Sequence, residues 1–187
     1  MRVLKTIFSK FYLYVLWAFF AFLICGQIFS RLGDAPAAHK VTLYADVPSM
    51  RDAALAAELE RELPEGIRVV KVHPFSYAMI DDGDLLASDL YIIPESHVEQ
   101  YSDSLRPIGG AALPEEGGCF REGELWGVRV WDAAKRQGIA ADFIDYPDED
   151  CWLFFNKASR HIRTLSGTGD DAAVEIARRL LAMTGGT

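Results

Sequence analysis

From Phe11 to Phe29 the chain reads FYLYVLWAFFAFLICGQIF, 19 residues without one charged side chain. As a helix rising 1.5 Å per residue this run covers roughly 28 Å, near the hydrocarbon thickness of a bilayer. Tyr12, Tyr14 and Trp17 lie towards its amino end, where amphipathic rings favour the membrane interface. Arg2, Lys5 and Lys10 precede it and no Asp or Glu does, which places the amino terminus in the cytoplasm and the residues after Arg31 outside. The expected organisation is a basic cytoplasmic segment over 1–10, a single transmembrane helix over 11–29, a tether over 30–39 and an extracytoplasmic domain over 40–187. The cell membrane is thus the first expected partner.

The alternative is a cleaved secretory signal. Such signals carry apolar regions of about 7 to 15 residues, shorter than this one. Ala35-Pro36-Ala37 does supply a small-residue cleavage pattern, and either outcome exports the domain. Cys25 follows Ile24, where a lipoprotein signal has a small residue, so lipidation is not expected.

Three of the 19 basic residues precede the apolar run, so 16 basic residues stand against 27 acidic ones beyond it. That formal charge of −11 repels nucleic acid and anionic headgroups, and neither is an expected partner of the domain.

Ser30 to Lys40 is small, polar and Pro/Gly-containing, as tethers are. Lys40–Asp46, KVTLYAD, predicts a strand. From Pro48-Ser49, the residues Met50, Ala54, Leu55, Leu59 and Leu63 share a helical face that closes at Pro64-Glu65-Gly66. IRVVKV, 67–72, predicts a second strand, and Asp81-Asp82-Gly83-Asp84 a turn before a short helical piece, Leu85-Leu86-Ala87. DLYIIP, 89–94, has the continuous apolarity of a buried parallel strand, and SHVEQYSDSL, 96–105, reads as a helix. Beyond a Gly/Pro/Glu-rich loop over 109–118, Glu124–Trp131 and Ala140–Tyr146 suggest a β-ribbon, and Asp150–Asn156 a further strand. Asp170 is placed to cap a last helix, whose Ala173, Ile176, Ala177, Leu180 and Leu181 form an apolar stripe. Strand and helix in alternation predict an α/β domain, three-layered, with a mainly parallel sheet.

KVTLYADV, the helix to LPEG, IRVVKV and then ASDLYIIPESHVEQYSDSLRPI resemble the first lobe of extracellular solute-binding proteins of ABC transporters. LWGVRVWDA, and CWLFFNKASRHI with its Leu153-Phe154-Phe155-Asn156-Lys157, resemble the crossover region of that family. The resemblance implies one lobe of a type II periplasmic-binding-protein-like fold. About 30 residues come after Lys157, too few for a second lobe, so the expectation is a single-lobe relative without the hinge-closing trap of a two-lobed protein.

Among candidate sites, Trp126 and Trp131 on the expected ribbon, with Tyr77, are the first choice for a ligand or partner contact, since exposed aromatic rings serve as stacking platforms. The competing and commoner role of such rings is core packing. Cys119 and Cys151 are the two cysteines outside the apolar run. In an exported domain they are compatible with a disulfide, the alternative being two separate thiols. The acidic turns at Asp81, Asp82 and Asp84 and at Asp148, Glu149 and Asp150 lack calcium-loop spacing and read as solvated. His39, His73, His97 and His161 lack zinc-ligand spacing, and Ser96 beside His97 is no catalytic pair. No catalytic residue, metal or cofactor is expected. The sequence thus predicts a non-enzymatic, membrane-anchored module that binds a small ligand or a partner protein at the cell surface, the partner being a membrane protein such as a transporter component. The alternative is a surface interaction or assembly module that takes no small ligand. A carboxylate or histidine buried in a cleft is the feature that reopens an enzymatic reading.

Overall fold

The computed structural model describes residues 11–33, 35–75, 83–86, 88–108, 113, 117–163 and 171–183. The chain divides into two units, Met1–Pro36 and Ala37–Thr187. The first is a helix, α1 (Phe11–Gly33), four residues longer than the uncharged run. Its side chains are described over 11–26, about 24 Å of helix axis, and along it Tyr12, Trp17, Phe22 and Ile24 are exposed. Among the described residues no helix is long and apolar enough to cross a membrane.

The second unit is α/β with a mixed sheet. Its parallel part comprises β1 (Lys40–Asp46), β3 (Val69–Phe75) and β4 (Leu90–Pro94), with β1 between the other two. Val41, Leu43 and Ala45 alternate into the core from β1, as the KVTLYAD pattern predicts. All five residues of β4 are buried, as befits a strand hydrogen-bonded on both sides and covered on both faces. The sheet continues antiparallel through β10 (Cys151–Asn156) and β7 (Glu124–Asp132) to β6 (Gly118–Arg121). Short strands β5 (Leu105–Arg106) and β8 (Gln137–Gly138) join β10 and β7. The expectation of a mainly parallel sheet therefore holds for its first half alone. The switch comes at β10, which enters beside β4 from the opposite direction.

Strand alternation splits the core in two. Leu90, Ile92, Cys151, Leu153 and Phe155 face one side, where they meet Leu55 and Leu59 of α2 (Asp52–Leu59) and Ala173, Ile176, Ala177 and Leu180 of α5 (Ala172–Ala182). Tyr91, Ile93 and Phe154 face the other, with Leu85 of α3 (Gly83–Leu86) and Val98 and Tyr101 of α4 (Val98–Tyr101).

Three expectations are corrected. The helix foreseen over 96–105 is broken into 3-10 turns at Glu95–His97 and Ser102–Ser104 around α4, and Leu105 already belongs to β5. Partners outside the segment take its backbone groups: Glu149 and the Asp150 carbonyl accept from the Ser96 and Glu95 amides, and the Ser104 carbonyl accepts from the Lys157 amide. The ribbon of Glu124–Trp131 with Ala140–Tyr146 does not form. β7 instead pairs β10 and β6, and only β9 (Ile144–Asp145) of the second segment is extended, paired with β2 (Ser49–Met50) in a separate two-stranded sheet. At the last helix the N-cap position is Asp171, and its carboxylate accepts from the Arg163 amide rather than capping the helix. Asp170, Asp81 and Asp82 lie outside the described residues.

Candidate functional site

β1 runs to α2 and then to β3 on one side of it, and the chain next crosses to β4 on the other side. The strand order reverses between β1 and β4. In open α/β sheets a crevice forms beyond the carboxyl ends of the strands at such a reversal, because the two flanking connections leave in opposite directions. Asp46 is the last residue of β1, Phe75 of β3 and Pro94 of β4, and all three line one cleft of about 370 Å³. Val47, Pro48, His97, Pro147 and Glu149 complete it. That volume lies within the range of small-ligand sites.

Two side chains distant in sequence meet there. His97 Nδ1 lies 2.6 Å from Asp46 Oδ2. The Asp46 residue is 9 % exposed and the His97 side chain 34 %, so the carboxylate is sunk beneath the imidazole. Strand β1 fixes Asp46, and the 3-10 turn after Pro94 fixes His97. A second carboxylate comes from the segment entering β10: Glu149 accepts from the Ser96 amide at 2.8 Å and the Ser96 hydroxyl at 2.9 Å. Asp150 next to it takes the Arg129 guanidinium at 3.1 Å and the Ala133 amide at 2.8 Å, while its carbonyl accepts from the Glu95 amide. The turn carrying Ser96 and His97 is thus bound to the β10 entry by both backbone and side chain.

Beneath this cleft Cys151 is fully buried. Burial, together with the nearby carboxylates of Glu149, Asp150 and Asp46, pushes its thiol up to about 12, so it is neutral and unreactive at physiological pH. Burial also raises the Cys119 thiol. Of the two open readings, a disulfide or two separate thiols, the structure shows the second: both cysteines are free. Cys119 pairs opposite Gly127 on one side of β7 and Cys151 opposite Trp131 on the other. Two strand spacings are about 9–10 Å, beyond the roughly 7 Å that a disulfide spans. They also pack into opposite halves of the core.

Trp126 and Trp131 are likewise separated. Trp131 packs with the α2/α5 side and Trp126 with the other, both half-buried. Five residues apart on one strand, they alternate to opposite faces in any case, and the two irregularities in β7, one flip each, leave that outcome unchanged. Pairing with β6 skips Trp126, and pairing with β10 skips Val130. Each skipped residue re-aims the side chains beyond it, as bulges do. Trp126 lies under the Arg121 guanidinium, 5.7 Å from the ring. Trp131 stacks on Tyr146 with ring centroids 4.9 Å apart and donates from Nε1 to the Pro147 carbonyl at 3.1 Å. It therefore buttresses the Pro147 wall of the cleft from behind instead of offering a platform within it. Tyr77, the third expected contact residue, lies outside the described residues.

A second depression of about 250 Å³ lies along the β2–β9 sheet, where Arg51 covers the Phe143 ring at 5.4 Å. It gathers no comparable group of strand-end side chains. Among the described residues no three His, Cys, Asp or Glu side chains converge as a metal set. The other histidines are dispersed: His39 bonds the Gly66 carbonyl, His161 the Ala37 carbonyl, and His73 packs against Tyr44.

The Asp46–His97 pair is the feature that reading by motif did not anticipate. The two residues are 51 positions apart, so no local spacing announces them. The available signal was positional: one closes the first parallel strand, and the other sits three residues past the end of the third. Compared with protein-family models, curated proteins and solved structures, the chain matches none.

Proposed function

We propose that this chain is a membrane-anchored, extracytoplasmic binding module that holds a small ligand in the cleft at the carboxyl ends of β1, β3 and β4. The observation that carries this reading is the 370 Å³ cleft itself, set where the strand order reverses and floored by Asp46 and His97. The likeness of the sequence to one lobe of a periplasmic-binding-protein-like II fold supports the same reading, with a transporter component as the partner to seek. The anchor is the uncharged run from Phe11 to Phe29, which continues past the described side chains. With the basic residues before it, this gives a single-pass orientation with the amino terminus in the cytoplasm.

A second reading, an interaction or assembly module without a small ligand, rests on Phe120. This residue is 56 % exposed on the edge strand β6, where unpaired backbone invites another chain.

Thermal-shift screening of the full chain in uncharged detergent micelles, against sugars, peptides, amines and metal salts, separates the two. A ligand at 100 times its Kd stabilises by about 2.7 kcal/mol, a rise of roughly 5–10 °C for a domain of this size. The binding reading predicts such a rise, lost in His97→Ala. No rise with any compound, together with a membrane protein crosslinked through the β6 edge, refutes it in favour of the second.

A further inference from the structure

The polar character of the cleft is one-sided. Its carboxylates, Asp46 and Glu149, can only accept hydrogen bonds when ionised. Three of its eight lining residues, Pro48, Pro94 and Pro147, have no backbone N–H to offer. Pro48 and Pro94 stand where the chain leaves β1 and β4. Glycine-rich turns and helix amino termini in those places cradle phosphates in nucleotide-binding α/β proteins.

The donors that are nearby are already engaged: the Ser96 amide and hydroxyl with Glu149, and His97 Nδ1 with Asp46. Among the described residues no Lys or Arg lines the cleft. Asp46 is nine-tenths buried, and His97 Nδ1 meets its Oδ2. An ionised carboxylate has about four lone-pair sites, so that one contact does not exhaust what Asp46 can accept. The rest of the wall, Val47, Phe75 and the three prolines, is apolar.

We infer that the cleft selects a small organic cation, a protonated amine carried on an apolar body, and rejects anions. The ammonium meets the Asp46 and Glu149 carboxylates, and the body lies against Phe75 and the prolines. The net charge of −11 beyond the apolar run draws cations towards the cleft from solution. This inference rests on the proposed ligand-binding role and adds the ligand class.

The test uses the full chain in uncharged micelles with isotope-labelled histidine, the His97 signal being assigned through His97→Gln. Benzylamine, benzyl alcohol, benzoate, inorganic phosphate and calcium chloride are titrated separately. Benzylamine is expected to move the His97 signal to saturation with a Kd at least tenfold below that of benzyl alcohol, while benzoate, phosphate and calcium leave it in place. Asp46→Asn and Glu149→Gln, each checked for an unchanged melting profile, should weaken benzylamine at least fivefold and leave benzyl alcohol within twofold. Benzoate, phosphate, benzyl alcohol or calcium binding at His97 as tightly as benzylamine overturns the ligand class but leaves the binding role standing. Benzylamine affinity unchanged in both variants overturns the ligand class as well. If no probe of any charge moves His97, the cleft is no ligand site and both readings fall.

Discussion

Asp89 is 4 % exposed at the amino end of β4, at the far end of the strand from Pro94. Its carboxylate accepts from the Ser159 hydroxyl and the Thr42 amide, with His161 and Lys40 adding favourable charge. Burial outweighs these and raises its pKa above the ordinary 3.8. A carboxyl raised on folding binds more protons in the native than in the unfolded chain. Its contribution to stability is therefore present at low pH and is lost as pH rises from about 3.8 through the folded value. Asp89→Asn removes that titration at the cost of one hydrogen bond. Denaturant melts across pH should show the variant less stable than the parent at pH 3–4, with the gap narrowing as pH rises. A gap that widens would contradict the assignment. The cysteines give a second check at this scale. Mass spectrometry of the oxidised chain should find no Cys119–Cys151 linked peptide, and Cys151 should resist alkylation until the domain is unfolded. A linked peptide formed without loss of structure would place these strands wrongly.

Among the elements, β7 determines most about how the site is supported, because the pairing irregularity at Val130 turns Trp131 towards Tyr146 and Pro147. Gly127 lies on the opposite surface of the same strand, directly across from Phe154. A Cβ at Gly127 would stand 2.6 Å from the ring of that fully buried side chain, which has no free end to swing away. Gly127→Ala should therefore cost roughly 1–3 kcal/mol in urea melts, and an unchanged midpoint would show that β7 is set differently. The identity of β1, β4 and β10 was legible in sequence because their apolar runs are compact and bounded by turn residues. The broken segment 95–104 and the failed ribbon were not legible. Both depended on partners elsewhere: Glu149 and Asp150 hold the first, and β6 and β10 claim β7 from Ala140–Tyr146. Local propensity carries no information about which strand wins such a competition.

For the whole molecule, the sequence indicated an α/β domain, but the site needed the strand order. Asp46 and His97 become neighbours only because β4 crosses to the free side of β1, and the Trp pair foreseen as a platform stands an odd five residues apart on one strand, hence on opposite faces. The membrane reading belongs at this scale too. Protease added outside spheroplasts should degrade residues 40–187 while sparing the amino terminus, whereas full protection of the domain would reverse the proposed orientation. The central claim is that a ligand occupies the strand-end cleft, and hydrogen–deuterium exchange of the full chain tests it most directly. With a saturating hit from the thermal-shift screen, new protection should concentrate in peptides covering 46–48, 94–97 and 147–149. Protection confined to the β2–β9 depression or to the β6 edge, with those three segments unchanged, would contradict it.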